Sequence, residues 1–192
     1  MPKKEIAHYC PSSQADWRQW LEQNHETESA IWLVYYKAAT QVPSLTWSQA
    51  VDEALCFGWI DSTKKTIDEA RYMQYFSPRK PKSTWSKVNK DKVARLIDTG
   101  QMAPAGYESI AKAKANGIWD LSDEIENLTL PEDLKQALMA QENALEFFEG
   151  QSKSARKMLL HWVWVAKGAD TRQKRIAEIA RLAAEGKKNR FD

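Results

Sequence analysis

The chain has 192 residues, 43% hydrophobic and 28% charged, and 28 Lys and Arg against 26 Asp and Glu leave a net charge of +2. That is the composition of a globular chain, not of a disordered or collagen-like one, and the near balance of charge argues against a general nucleic-acid binder. No apolar run approaches the roughly 20 residues that cross a bilayer, and the first residues lack the apolar stretch of a secretory signal, so a cytoplasmic protein without membrane insertion is expected.

Ser12 or Ser13 is placed to cap a helix over residues 14–24, where Trp17, Trp20 and Leu21 form one stripe at i, i+3 and i+4. Residues 30–36 read Ala-Ile-Trp-Leu-Val-Tyr-Tyr, a strand composition whose nearly continuous apolarity suggests a central position. Thr46-Trp-Ser-Gln49 has the capping-box pattern ahead of a helix over 47–57, with Gly58 as its stop. Residues 60–67 and 71–76 alternate as two strands joined by a turn at 68–70. The stretch 77–86 holds two prolines and no period, so it is a loop. Beyond it every segment is helical. Ser86 caps a helix to about residue 99 with Val88, Leu96 and Ile97 apolar. Pro104 and Pro131 open two more, and 144–149 forms a short one. Ser152 or Ser154 starts another, ending near Lys167. Asp170 or Thr171 caps the last.

This pattern predicts an α+β fold: a small antiparallel or mixed sheet of about three strands with N-terminal helices, then a C-terminal helical bundle. Residues 1–118 form the α+β part and 119–192 the helical part, expected to pack as one compact unit. Charge is blocked along the chain: 71–95 carries a local +7, 120–149 a local −8 and 150–192 again +7. Such blocks neutralise one another or face solvent in most folds, and otherwise receive a charged ligand. Cys10 and Cys56 are too few for a disulfide framework or a cysteine-based zinc site, and His8, His25 and His161 lack metal-ligand spacing. No phosphate-binding glycine loop or other cofactor fingerprint is present, so neither a metal nor a cofactor is expected.

The most distinctive strings are Glu53-Ala-Leu-Cys-Phe-Gly-Trp-Ile-Asp61, Phe76-Ser-Pro-Arg79, Ser83-Thr-Trp-Ser-Lys-Val-Asn89 and Met102-Ala-Pro-Ala-Gly106, followed later by Lys167, Thr171-Arg172 and Arg175-Ile176. Through them the chain resembles the bacterial YdeI/OmpD-associated family, also labelled bacteriocin-protection proteins, over nearly its whole length. The resemblance implies a stress- or resistance-linked role and no settled biochemical activity.

From the residues themselves, the 77–86 loop and Ser86 make the best ligand site. A capped helix start directs N–H groups at the loop, where Arg79, Lys80, Lys82 and Lys87 supply positive charge for a phosphate or carboxylate. Trp59, Asp61, Trp85 and Asn89 complete the candidate set, with the two rings available for stacking. The structural reading of the same residues is a cap, a pinned loop and solvated lysines. Of nine tryptophans, Trp17, Trp20, Trp32, Trp47 and Trp162 read as core, and Trp119 as a plug between the halves. The leading function is therefore a non-enzymatic binding protein for an anionic small molecule or a protein partner. Two others stay open: an enzyme using Asp61 as acid/base beside Arg79, and an adaptor for nucleic acid or protein using the basic last helix, which carries Arg172, Arg175, Arg181 and Arg190. No residue is assigned as catalytic.

Overall fold

In the computed structural model, residues 6–166 and 168–188 are described, so Lys167 and Arg190 lie outside the described residues. Four strands form one mixed sheet: His8–Tyr9 (β1), Ile31–Tyr36 (β2), Trp59–Thr66 (β3) and Arg71–Pro78 (β4), in the order β1-β2-β4-β3. The class is α+β, with four strands rather than three. The added strand, β1, pairs parallel to β2 and has only two residues, too short to leave a periodic signal. β2 lies inside the sheet, antiparallel to β4, as its apolarity predicts. The β3–β4 hairpin turns at Asp68, whose Oδ1 accepts from the N–H groups of Ala70 and Arg71. A bulge between Asp61 and Lys64 shifts the β3 register.

The helices are Gln14–Asn24 (α1), Trp47–Cys56 (α2), Lys87–Asp98 (α3), Pro104–Ala115 (α4), Ile118–Glu126 (α5), Glu132–Met139 (α6), Ala144–Glu149 (α7), Lys153–Trp164 (α8) and Ala169–Ala184 (α9). Helix α5 spans the boundary expected between residues 118 and 119. The chain divides into two compact units, residues 1–119 and 120–192. No helix among the described residues is long and apolar enough to cross a membrane.

In the first unit α2 touches α1, β3, α3 and α4. Every residue from Ala50 to Cys56 is buried, two adjacent carboxylates included. Asp52 accepts from Lys92 and Arg95 of α3, each at 2.7 Å, and Glu53 from Arg18 at 2.9 Å and Gln14 at 2.6 Å, both of α1. Removing one partner of such a buried pair costs about 3–5 kcal/mol. Aromatic rings fill the space between helices and sheet: Trp17 stacks on Trp20 at 5.2 Å and meets Phe76 edge-on at 5.6 Å, and Trp20 meets Trp59 at 5.8 Å. Burial pushes the Cys56 thiol up to about 11, so it is an inert core group, as its place on an apolar helix predicts.

Three expectations are corrected. Trp47 is 45% exposed, because it occupies the first turn of α2, ahead of the buried run. Val88 is likewise exposed in the first turn of α3, and Val93 with Leu96 forms the buried stripe. Helix α9 is capped by Gly168 in an extended conformation, not by Asp170 or Thr171, which lie inside the helix.

In the second unit α6, α7 and α8 all pack on α9, through Leu134, Leu138, Phe148, Leu160 and Val163 against Ile176, Ile179 and Ala180. Arg172 binds both carboxylate oxygens of Asp133, at 2.6 and 2.9 Å. Arg172 and Arg175 also donate to the carbonyls of Val163 and Trp162 at the end of α8, and their guanidinium groups lie 5.0 and 5.2 Å from the Trp164 and Trp162 rings. These two cations of the basic last helix cap a neighbouring helix from within the unit.

Gly106 brings α4 against the end of α2: a Cβ there would lie 2.4 Å from the Cys56 carbonyl oxygen. Backbone cannot yield as a side chain does, so Gly106→Ala is expected to lower stability by about 1–3 kcal/mol, read as a drop in the urea unfolding midpoint at unchanged slope. A second expectation concerns acid. Hydrogen bonds from Arg172 hold the Asp133 carboxyl below the usual carboxylate range. The pair therefore contributes fully above the unfolded carboxylate value near pH 4 and is lost as the pH falls through the lower folded value. The stability gap between the native chain and Asp133→Asn should be constant from pH 7 to 5 and close below about pH 4. Since the Asp133 side chain is about half exposed, the gap stays under about 1 kcal/mol.

Candidate functional site

The loop after β4 is tied down from several sides. The Arg79 N–H donates to the Gly58 carbonyl at 2.9 Å, extending the hairpin one step past Pro78. Gly58 itself has φ +70°, and a Cβ there would meet the Ala105 carbonyl at 3.0 Å. Asn116 donates to the Pro81 carbonyl at 2.5 Å, and Ser83 N–H to the Lys80 carbonyl at 2.9 Å. The loop ends at Ser86, whose hydroxyl accepts from Asn89 N–H and caps α3.

This loop, β3 and the end of β4 enclose an open cleft of about 730 Å³. Asp61, Arg79, Ser86 and Asn89 of the predicted set all line it, with Lys80 beside them. The other three predicted residues do not. Trp59 and Trp85 are 1% and 2% exposed and belong to the core, so neither presents a free face for stacking. Lys87 is exposed and pairs with Asp91 at 3.3 Å. The reason is directional. Trp59 lies on the helix-covered face of the sheet, Trp85 packs at 5.2 Å from Trp119, and Lys87 points along the outer side of α3. Trp119 thus packs within the first unit. Sequence reasoning missed the hydroxyl wall of Ser29, Ser62 and Ser77, and Tyr75 with it. Isolated serines carry no periodic signal, and only strand register brings these together.

Arg79 is the unusual group. Its guanidinium carbon lies 3.6 Å from the centroid of the Trp85 ring, and Nη2 donates to the Thr84 carbonyl at 2.9 Å. Its Nε and Nη1 are buried and have no acceptor among the described residues. Burial pulls its pKa down to about 10, opposed in part by the negative charge of Asp61. The two do not form an ion pair. Asp61 instead accepts, through Oδ2, from Trp47 at 2.9 Å and Gln74 at 2.8 Å. Arg79 also lines a smaller hollow of about 260 Å³, with His25, Glu108 and Lys112 on its walls. In the second unit a hollow of about 800 Å³, with Phe147 and Met158 in its lining, is mostly apolar and holds none of the predicted site residues. No group of three or more His, Cys, Asp or Glu among the described residues could hold a metal ion.

The fold and cleft are those of an α+β protein with a cationic side chain set into a polar groove. Residues 9–109, a little over half of the chain, match a family described as a domain of unknown function, DUF8412, and the chain belongs to that family. Residues 127–186 match the family described as Bacteriocin-protection, YdeI or OmpD-Associated. That second match contains Thr171, Arg172, Arg175 and Ile176, whereas the strings from Glu53 to Gly106 fall in the first. No curated protein and no solved structure matches the chain significantly.

An unsatisfied buried donor costs about 1–3 kcal/mol, more when charged, and stacking on Trp85 offsets only part of that. If Arg79 serves a ligand rather than the fold, Arg79→Met should leave stability within about 1 kcal/mol of the native chain or raise it. A thermal melt of the two proteins checks this, and a loss above about 2 kcal/mol would make Arg79 a structural residue.

Proposed function

We propose that the chain is a non-enzymatic binding protein for an anionic small molecule, held in the cleft at Arg79. One observation carries the reading: Nε and Nη1 of a desolvated guanidinium have no acceptor among the described residues, beside an open polar cleft. A phosphate or carboxylate satisfies such donors with charge-assisted hydrogen bonds. Because Nε and Nη1 are shut off from solvent, capture of the anion goes with a shift of the 79–86 loop. Lys80 and the capped start of α3 add favourable potential at the same wall. The cleft volume lies in the range of small-molecule sites. Asp61 works here as an oriented acceptor, held by Trp47 and Gln74, rather than as an acid/base. The description of the family matched by residues 127–186 supports a link to bacteriocin resistance.

Calorimetric titration with inorganic phosphate and with citrate tests the proposal. At least one should bind, and Arg79→Gln should weaken that binding roughly tenfold or more, the value of a charge-assisted hydrogen bond. Absence of binding by both anions, or equal binding by the variant, would refute it.

A further inference from the structure

We infer that the ligand of this cleft is an anionic polyol, a sugar-like molecule bearing a phosphate or carboxylate, and this rests on the anion reading above. The cleft carries both signs of charge. Arg79 and Lys80 line it as cations, and Asp61 lines the same space and brings a negative charge. A compact anion such as hydrogen phosphate has its few O–H donors on the charged group itself, so it gains little from Asp61 and is repelled by it. A ligand that meets both charges carries an acid group and, some distance from it, an O–H or N–H donor.

Asp61 is suited to receive that donor. Trp47 and Gln74 both bind Oδ2, which fixes the carboxylate in place, and Oδ1 has no partner among the described residues. A carboxylate accepts up to about four hydrogen bonds, so the acceptor is oriented and unfilled. The rest of the wall says which donor. Ser29, Ser62, Ser77, Ser83, Thr84 and Ser86 all line the cleft. Each hydroxyl both donates and accepts, which matches a ligand whose own groups do the same. An ammonium cannot accept, and it would enter a cleft that already holds two cations against one carboxylate. Hydroxyls carry no such penalty. Tyr75 adds one aromatic surface, enough for the C–H face of a sugar-like ring and too little for a mainly apolar ligand. The shared chemistry covers both phosphorylated and carboxylated polyols.

The test is calorimetric titration of the full chain with glucose 6-phosphate, ribose 5-phosphate, glycerol 3-phosphate, gluconate, glucose and inorganic phosphate. At least one phosphorylated or carboxylated polyol should bind about tenfold tighter than inorganic phosphate, and glucose should not bind. A preferred phosphate ester identifies the phosphorylated class, and preferred gluconate the carboxylated one. Asp61→Asn keeps an oxygen for Trp47 and Gln74 but loses the charge, so it should erase the preference while leaving phosphate binding equal or tighter. Ser77→Ala, which leaves the Asp61 network intact, should reduce polyol binding more than phosphate binding and so lower the preference. If phosphate binds and no polyol exceeds it, or Asp61→Asn and Ser77→Ala both leave a preference intact, the polyol assignment is wrong and the anion reading survives. If glucose binds as tightly as its phosphate ester, the anionic part of the assignment is wrong. If nothing anionic binds, both readings fall together.

Discussion

Two neighbouring carboxylates buried on one helix constrain the first unit more than any other feature. Asp52 and Glu53 point to different sides of α2, since adjacent helical residues lie about 100° apart. Neither can stay buried as an ion without a cation of its own. Lys92 and Arg95 must therefore reach Asp52 from α3, and Arg18 must reach Glu53 from α1. Apolar packing brings these helices together without specifying their order or angle. The ion pairs choose one arrangement, because a displaced α1 or α3 would leave a charge buried alone.

The cleft inherits its geometry from that choice. Once Lys92 and Arg95 hold α3 against α2, Ser86 at the start of α3 has a set position. The loop from β4 must span from Pro78 to that point, with Trp85 buried beneath it. Arg79 then lies over the Trp85 ring, with Nη2 on the Thr84 carbonyl and with Nε and Nη1 without an acceptor among the described residues. Most of the unit obeys the rule that buried polar groups are paired; among its described residues Tyr35 Oη and the Arg79 guanidinium break it, and Arg79 does so beside a polar cleft that gathers the loop's functional groups. Local conflict of that kind concentrates at functional sites, where a ligand completes what the fold leaves open.

The second unit uses the same chemistry for architecture alone. Arg172 and Arg175 read in the sequence as part of a basic surface helix open to nucleic acid. In the structure they turn back on α8, donate to the Val163 and Trp162 carbonyls at its C-terminus, and lie over Trp164 and Trp162. The strings behind the family resemblance thus have separate physical meanings. Arg172 and Arg175 cap a helix, Gly106 permits close approach of α4 to α2, and Phe76 to Arg79 leads from the core into the cleft.

Short-range physics was legible from the residues alone. Caps at Ser13, Thr46, Ser86 and Ser152 marked helix starts, and Gly58 and Pro104 marked a stop and a start, because these depend on backbone geometry within a few residues. The α+β class followed from where periods of 3.6 and 2 fall along the chain. Arg79, Lys80, Ser86 and Asn89 could be placed together because loop and helix start are adjacent in sequence. What a side chain faces was a different matter. Trp59 and Trp85 are core and Trp47 is exposed, although all three are tryptophans next to turns, since burial depends on which element arrives from elsewhere in the chain. The same holds for the serine wall and for Asp61, whose partners come from α2 and β4. Composition and spacing determined the elements of this protein. Its cleft was decided by strand register and by the ion pairs of α2, which act between residues some 35 to 43 positions apart.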